Sequence, residues 1–400
     1  MKKSGTLLVA TAAMASMATY AAAQPIVDGV VTEGDYGAPL WVNDTNPTGF
    51  GNNLDPSVGC ADGSEIDALY AVIADNGLGD MWLYIGITGN LESNFNKLEL
   101  FIDTTEGVGQ NILPAINPDV DFGALQRMGD DGSGNGLAFD ALFTANAYFT
   151  MTNGNCDGEF TEVYANFADL DNQLGYYLGM TSNGIGFLEG GDNPFGIEAT
   201  IDNSNIDGID DLVADYSAAL AVTTGIEIAI PMAALGDPTD DLLLCAFING
   251  GGHDWISSQV VGGGLWGADN LAEPRTTNFA ALYGNQYVTV ANGTPRTGAF
   301  IIHVGPLYAG QNGQFGVEGA AANEMVYWAY SLRGLGSQFV PPLNVILDLH
   351  KPAEVGHTRA DANGHANLEL KIPGPAAGRT IWFQGCHFEA KTNAVAVSVQ

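Results

Sequence analysis

Short apolar runs broken by clusters of Gly, Asn and Asp recur along the whole chain, the pattern of many short strands joined by turns. Trp82-Leu83-Tyr84-Ile85-Gly86-Ile87 and Leu98-Glu99-Leu100-Phe101-Ile102-Asp103 each present one continuous apolar face at period two. The same reading predicts strands over 81–88, 97–104, 138–152, 162–167, 225–230, 242–248 and 286–290, and again over 325–331, 343–349, 365–372, 380–384 and 394–399. Helical signals are few. Pro231-Met232-Ala233-Ala234-Leu235 reads as one turn opened by proline and closed by Gly236. No period of about 20 to 50 residues recurs, which argues against a solenoid or a propeller. The fold class predicted is all-β.

The first residues add a targeting segment. Met1-Lys2-Lys3, the apolar run 7–18 and Ala21-Ala22-Ala23-Gln24 have the charged, apolar and small-residue parts of a secretory signal, with cleavage expected after Ala23. That run is too short to span a bilayer, which takes about 20 residues, and no later segment reaches such a length free of charges and glycines. The expected location is therefore secreted, extracellular or at the cell surface. The chain beyond residue 23 is longer than one hydrophobic core usually organises and predicts two domains, 24–302 and 303–400. Charge divides them: residues 24–302 hold 4 Lys and Arg against 39 Asp and Glu, whereas 303–400 hold 6 against 7. The strand spacing of the second region predicts a small immunoglobulin-like sandwich. The acidic field of the first disfavours nucleic acid and anionic lipid and favours cations, unless it serves only to keep the chain hydrated.

Four cysteines stand far apart with no CxxC or CxxCH spacing, so zinc-ribbon, redox and haem readings have no support. Cys60 and Cys156 both lie in loop-like sequence, and a bridge between them is the expectation among three full connectivities. Cys245, within Leu242-Leu243-Leu244-Cys245-Ala246-Phe247, reads as a buried thiol.

The two period-two segments resemble the paired central strands of family 9 carbohydrate-binding modules and their DOMON-like relatives. Ile26-Val27-Asp28-Gly29 with Glu33-Gly34-Asp35-Tyr36 looks like the start of that family. Gly225-Ile226-Glu227-Ile228-Ala229-Ile230-Pro231 and Leu244-Cys245-Ala246-Phe247-Ile248-Asn249 resemble its later strands, and Glu273-Pro274-Arg275-Thr276-Thr277-Asn278-Phe279 its closing stretch. The resemblance implies a β-sandwich with a long insertion between Asp103 and Gly225, sugar held between two exposed aromatics, and structural calcium. For the aromatic walls this chain offers Phe95, displaced by about two residues from the family's tryptophan, and the segment of Trp255 and Trp266. Asn117-Pro118-Asp119-Val120-Asp121-Phe122, Arg127-Met128-Gly129-Asp130-Asp131-Gly132 and Phe247-Ile248-Asn249-Gly250-Gly251-Gly252-His253-Asp254 resemble uncharacterised exported bacterial proteins, a likeness that brings no activity.

Chemistry has three candidate seats. The stretch bearing Asp119, Asp121, Asp130, Asp131, Asn135 and Asp140 could wrap several oxygens round calcium, although the EF-hand glutamate is missing: the twelfth positions counted from Asp130 and Asp131 are Ala141 and Leu142. A second acidic run, Asp202-Asn203-Ser204-Asn205 with Asp207-Gly208 and Asp210-Asp211, is explained by Asx-turns. His253-Asp254-Trp255 after three glycines could bind a metal or orient a ligand; its plainer reading is a turn with a hydrogen-bonded His and a packed Trp. Trp82, Trp328 and Trp382 lie in apolar strand patterns and read as core, whereas Trp255 and Trp266 sit in Gly-rich loops and read as solvent-facing. No GxSxG, HExxH or other nucleophile frame occurs, and acids are too abundant for a glycosidase pair to stand out. A non-enzymatic protein is the expectation: a binding module for extracellular glycan, or a layer or filament subunit whose partners are other copies of itself.

Overall fold

The computed structural model describes residues 24–400 apart from 45, 141, 158–159, 183–184, 264–268, 283–284, 294–299, 362–363 and 389. The expected signal segment and Trp266 thus lie outside the described residues.

The first region is built from β1 (Trp41–Val42), β2 (Glu65–Asp75), β3 (Met81–Asn90), β4 (Lys97–Asp103), β5 (Ala147–Asp157), β6 (Phe160–Asp169), β7 (Leu174–Ser182), β8 (Glu189–Gly190), β9 (Glu198–Ile201), β10 (Gly225–Pro231), β11 (Leu242–Asn249), β12 (Ile256–Val260) and β13 (Val288–Val290). They form two antiparallel sheets, β1-β2-β3-β10-β9 and β12-β11-β4-β5-β6-β7-β8, with β13 also pairing β11. The period-two faces of β3 and β4 meet between the sheets: Leu83, Ile85 and Ile87 pack with Leu98, Leu100, Ile102, Ile228, Leu244 and Ala246. Each such side chain, taken out of water, contributes roughly 1.5–3 kcal/mol.

The segment between Asp103 and Gly225 is less an insertion than half of the larger sheet, since it supplies β5, β6 and β7. The part of it between β4 and β5, with the short helix α1 (Ala124–Met128), forms a third layer. Leu113, Leu125, Met128, Phe139 and Phe143 cover the outer face of the larger sheet at Phe101, Tyr148 and Phe247. Residues 138–140 and 142–146, expected as the start of a strand, belong to this covering loop, and β5 begins only at Ala147. Cys60 and Cys156 are joined as expected, and Cys245 is buried and free.

The second region comprises β14 (Ile301–Val304), β15 (Asn312–Glu318), β16 (Met325–Ser331), β17 (Leu335–Val340), β18 (Val345–Leu349), β19 (Ala353–Arg359), β20 (Ala366–Lys371), β21 (Thr380–His387), β22 (Ala390–Lys391) and β23 (Val395–Ser398). Sheets β14-β15-β20 and β19-β16-β21-β22, the latter extended by β23, enclose Trp328, Phe315 and Phe383 as a small immunoglobulin-like sandwich. β14 starts before residue 303, so the chain enters the second sandwich slightly ahead of the boundary drawn from charge. The sandwiches share a core: Ala68, Tyr70, Tyr84 and Ala229 on the outer face of the five-stranded sheet pack with Leu335, Val345, Leu347 and Leu349. The fold is all-β, and among the described residues no helix is long and apolar enough to cross a membrane.

Candidate functional site

The outer face of the larger sheet changes character along its strands. Where Phe101, Tyr148 and Phe247 stand, it is aromatic. Two residues earlier on β4 the same face carries Glu99 and then Lys97, with Thr150 and Thr152 opposite on β5 and Asn249 opposite Lys97 on β11. The third layer buries all of these, and buried charges persist only when paired and hydrogen-bonded.

The partners arrive from two turns. His253, in the turn between β11 and β12, places Nδ1 2.6 Å from Glu99 Oε1, which also accepts from Asn249 Nδ2 at 3.1 Å. Tyr148 donates its hydroxyl to Glu99 Oε2 at 2.5 Å. Asp121, from the loop before α1, accepts at Oδ2 from Lys97 Nζ and from Thr152 Oγ1, both at 3.1 Å. Thr152 Oγ1 in turn accepts from Lys97 at 2.9 Å. His253 Nε2 lies 3.1 Å from the same Asp121 oxygen, near enough for an ion pair though off the line of a hydrogen bond. Burial alone would pull the imidazole down, but Glu99 and Asp121 outweigh it and lift His253 to about 9. Burial pushes Asp121 up, and His253 with Lys97 overcome this and hold it below the usual carboxylate range. Burial, and then Glu99, push the Tyr148 hydroxyl well up, so it stays protonated and donates. Two cations and two carboxylates therefore neutralise one another out of water.

Above this network the backbone is strained. Phe95, Asp121, Phe122 and His253 all adopt left-handed conformations, with φ of 71°, 43°, 56° and 53°. For bulky residues each costs about 1–3 kcal/mol and persists only where the surroundings over-determine it. Each of the three turns involved carries an exposed aromatic: Phe95 is 41%, Phe122 104% and Trp255 51% exposed. The turns adjoin. A Cβ on Gly251 would stand 3.3 Å from Phe95 O, and one on Gly250 would stand 3.4 Å from Trp255 Cβ. Phe95 N donates to Asn153 O and Trp255 N to Asn249 Oδ1, each at 2.9 Å, which ties both turns to the sheet end. Beside them Arg127 forms a two-pronged pair with Glu273 at 2.7 and 2.8 Å. The arrangement is an aromatic surface on an ionic foundation.

No family model matches the chain, and no curated protein matches it either. Solved structures that align with it include the alpha-2-macroglobulin of Escherichia coli activated by porcine elastase, at 9% identity over 83% of this chain and 34% of that one, with a TM-score of 0.18. The Salmonella alpha-2-macroglobulin reacted with methylamine aligns at 8% identity over 83% and 24%, with a TM-score of 0.19. The CupB6 tip adhesin of Pseudomonas aeruginosa aligns at 9% identity over 90% and 99%, with a TM-score of 0.13. The chain spans about a third or less of the two macroglobulins. Likenesses this slight carry no functional argument, and the site stands on its own geometry.

The structure brings Phe95, His253, Asp254 and Trp255 together at one end of the larger sheet and adds Asp121, expected instead as a metal ligand. His253 is hydrogen-bonded, as the plainer reading had it; Trp255 is half exposed rather than packed. The six residues proposed for calcium are dispersed among separate duties. Asp121 is consumed by Lys97, His253 and Thr152. Asp130 caps its own turn through the N–H groups of Gly132 and Gly134, and Asp131 does so through Ser133. Asp140 accepts from Gln286 N at 2.6 Å, and burial raises its carboxyl to about 6. Asp119 and Asn135 are exposed. Consecutive acids and glycines here satisfy their own backbone instead of a shared centre, and among the described residues no three His, Cys, Asp or Glu side chains gather to hold a metal. Missed by sequence reasoning were Lys97, Glu99, Tyr148 and Phe122.

Proposed function

We propose that the protein is a non-catalytic extracellular binding protein that takes carbohydrate against Phe95, Phe122 and Trp255. The observation that carries this reading is the gathering of three exposed aromatics on three strained turns, two of which supply Asp121 and His253 to one buried charge network while the third, at Phe95, abuts Gly251. Strain of this kind is retained where function selects it, and an exposed apolar patch rimmed by polar groups marks a recognition surface. Sugar rings present C–H faces that stack on aromatic rings, while hydroxyls meet polar neighbours such as the exposed Asp254 and the Arg127–Glu273 pair. A binding rather than catalytic role follows from the network's economy: His253 and Glu99 are spent on each other below the surface and offer a ligand no free acid or base.

The test is isothermal titration and affinity electrophoresis of the chain against soluble xylan, cello-oligosaccharides, chitin oligomers and alginate, alongside Trp255→Ala and Phe95→Ala variants. Binding by the parent, weakened at least about tenfold in either variant, is the expected result. Failure of every glycan, with concentration-dependent self-association in sedimentation velocity, would replace this reading with that of a surface-layer or filament subunit.

A further inference from the structure

Strand β2 opens with two acids on a bulge. Glu65 stands opposite Asn90 of β3, and the register slips between Ile66 and Ala68, leaving Asp67 as the extra residue. Glu65 is 2% exposed and Asp67 fully buried, yet neither forms an ion pair with any described residue. Asp67 Oδ1 accepts from Ile209 N at 2.8 Å, and Glu65 Oε1 has only the long contact with Asn205 Nδ2 at 3.4 Å. Glu65 Oε2 and Asp67 Oδ2 have no hydrogen-bond partner. Other buried carboxylates have strong partners at both oxygens or a cation: Asp121 has Lys97, Glu99 has His253 and Tyr148, and Glu227 has the Tyr36 hydroxyl and two main-chain N–H groups. Burial pushes both Glu65 and Asp67 well up, and the neighbouring Asp67 raises Glu65 further, so the pair lacks a positive charge.

Facing them is the loop Asn203-Ser204-Asn205-Ile206-Asp207-Gly208. Oxygens converge there on one point, now held by the Asn205 amide nitrogen: Glu65 Oε1 and Asn90 Oδ1 at 3.4 Å each, and the Asp207 carbonyl. Asn90 spends its own amide nitrogen on Asn203 O and Asn205 O, at 2.8 and 3.1 Å, which leaves its oxygen turned to the same point. Gly208, at φ 109°, lets the loop close on Asp67, because a Cβ there would stand 2.4 Å from Asp67 Oδ1. Asn-x-Asn-x-Asp-Gly matches the opening half of a calcium loop, in which alternate side chains wrap the ion and glycine makes the sharp turn, except that Asn203 stands where the loop has Asp. The terminal acid such a loop needs is missing, since the twelfth position is Ala214. Two acids reach the place from β2 instead.

We propose that Glu65, Asp67, Asn90 and the 203–208 loop bind one divalent cation of calcium's size, through the two free carboxylate oxygens and the Asp207 carboxylate at the loop's fifth position, together with amide and main-chain oxygens. A rotation of the half-buried Asn205 side chain clears the position. Calcium tolerates such a mixed set of six to eight oxygens, whereas magnesium demands a near-ideal octahedron. The site shares no residue with the aromatic surface and is read by a different titrant, so the two proposals are tested separately.

The full chain, stripped with chelator and exchanged into metal-free buffer, is titrated with CaCl2 and then MgCl2, following heat and melting temperature, beside Asp67→Asn, Glu65→Gln and the exposed-loop variant Asp207→Ala. The expected result is one calcium site, a Tm higher by several degrees in calcium than in chelator, and a weaker magnesium response. Affinity falls at least about tenfold in each variant, and in chelator Asp67→Asn and Glu65→Gln melt no lower than the parent. No calcium binding by the parent, magnesium binding as tight as calcium, or undiminished affinity in Asp207→Ala with either buried-acid variant would overturn the proposal. Asp207→Ala keeps the test decisive if a buried variant does not fold.

Discussion

His253 Nδ1 sits 2.6 Å from Glu99 Oε1 although the two residues belong to a turn and to the middle of the larger sheet, and this contact fixes the turn that carries Trp255. Removing one member of a buried pair leaves the other charged and unsolvated, which costs about 3–5 kcal/mol. His253→Ala should therefore lower stability by that order in urea titration, while Trp255→Ala, at an exposed position, should change it by less than about 0.5 kcal/mol. Equal small losses in both would mean the network does not hold the turn.

The same histidine sets an alkaline limit. Its folded-state value of about 9 lies above the ordinary 6.5, with Glu99, Asp121, Lys97 and Tyr148 facing it, so its contribution is complete below about pH 6.5 and is lost as pH rises through 9. At about 1.4 kcal/mol per unit this amounts to roughly 3 kcal/mol. Urea midpoints at pH 6.5, 8 and 10 should fall in that order, and the fall should be smaller in a His253→Gln variant.

Glu227 predicts a second, separable pH effect. Its carboxylate, buried on β10, accepts from Asp28 N and Gly29 N at 2.8 and 2.7 Å and from the Tyr36 hydroxyl at 2.7 Å, and so clasps the N-terminal segment. Burial outweighs these bonds and raises it from 4.5 to about 7. A raised carboxyl contributes stability in full below pH 4.5 and loses it as pH rises through 7. Glu227→Gln, neutral at every pH, should match the parent near pH 5 and exceed it at pH 8. A variant weaker than the parent at both would show that the clasp needs the carboxylate.

The all-β class was legible because β3, β4 and β11 alternate cleanly, and two sandwiches were legible because charge falls away near residue 302. Strand β2 was not recognised: Glu65 and Asp67 mimic a polar loop, and only burial shows that they lie inside. Lys97 and Glu99 read as the solvent side of a half-buried strand, which a two-layer sandwich would make them. The third layer that covers them comes from a segment with no strong periodicity, and no local spacing announces that Asp121 and His253 meet over β4. Trp255 could be found because an aromatic among glycines has no core to join, and Phe95 because it stands near the place where the resembled family carries a tryptophan. Phe122 could not, since Val120-Asp121-Phe122 looks like a strand fragment.

The bridge between Cys60 and Cys156 closes a span of 96 residues. Constraining an unfolded chain over about 100 residues is worth up to about 4.7 kcal/mol. The double change to serine should cost roughly 3–5 kcal/mol in urea titration, and the parent should lose a similar amount under strong reductant. The double variant treated with the same reductant should lose nothing further, because the remaining cysteines, Cys245 and Cys386, are free thiols.

Phe122 separates strain kept for function from strain required by the fold. Its side chain is fully exposed, so it contributes no burial, yet its backbone is held at φ 56°, a conformation that penalises an aromatic and suits glycine. Phe122→Gly relieves about 1–3 kcal/mol of backbone cost and gives back about 1 kcal/mol through the freer unfolded chain. The variant should therefore be as stable as the parent or up to about 2 kcal/mol more so, while its glycan binding falls. Loss of stability in urea titration would show that the ring packs where it is now assigned to solvent. A gain in stability with binding unchanged would remove Phe122 from the recognition surface and leave Phe95 and Trp255 to form it.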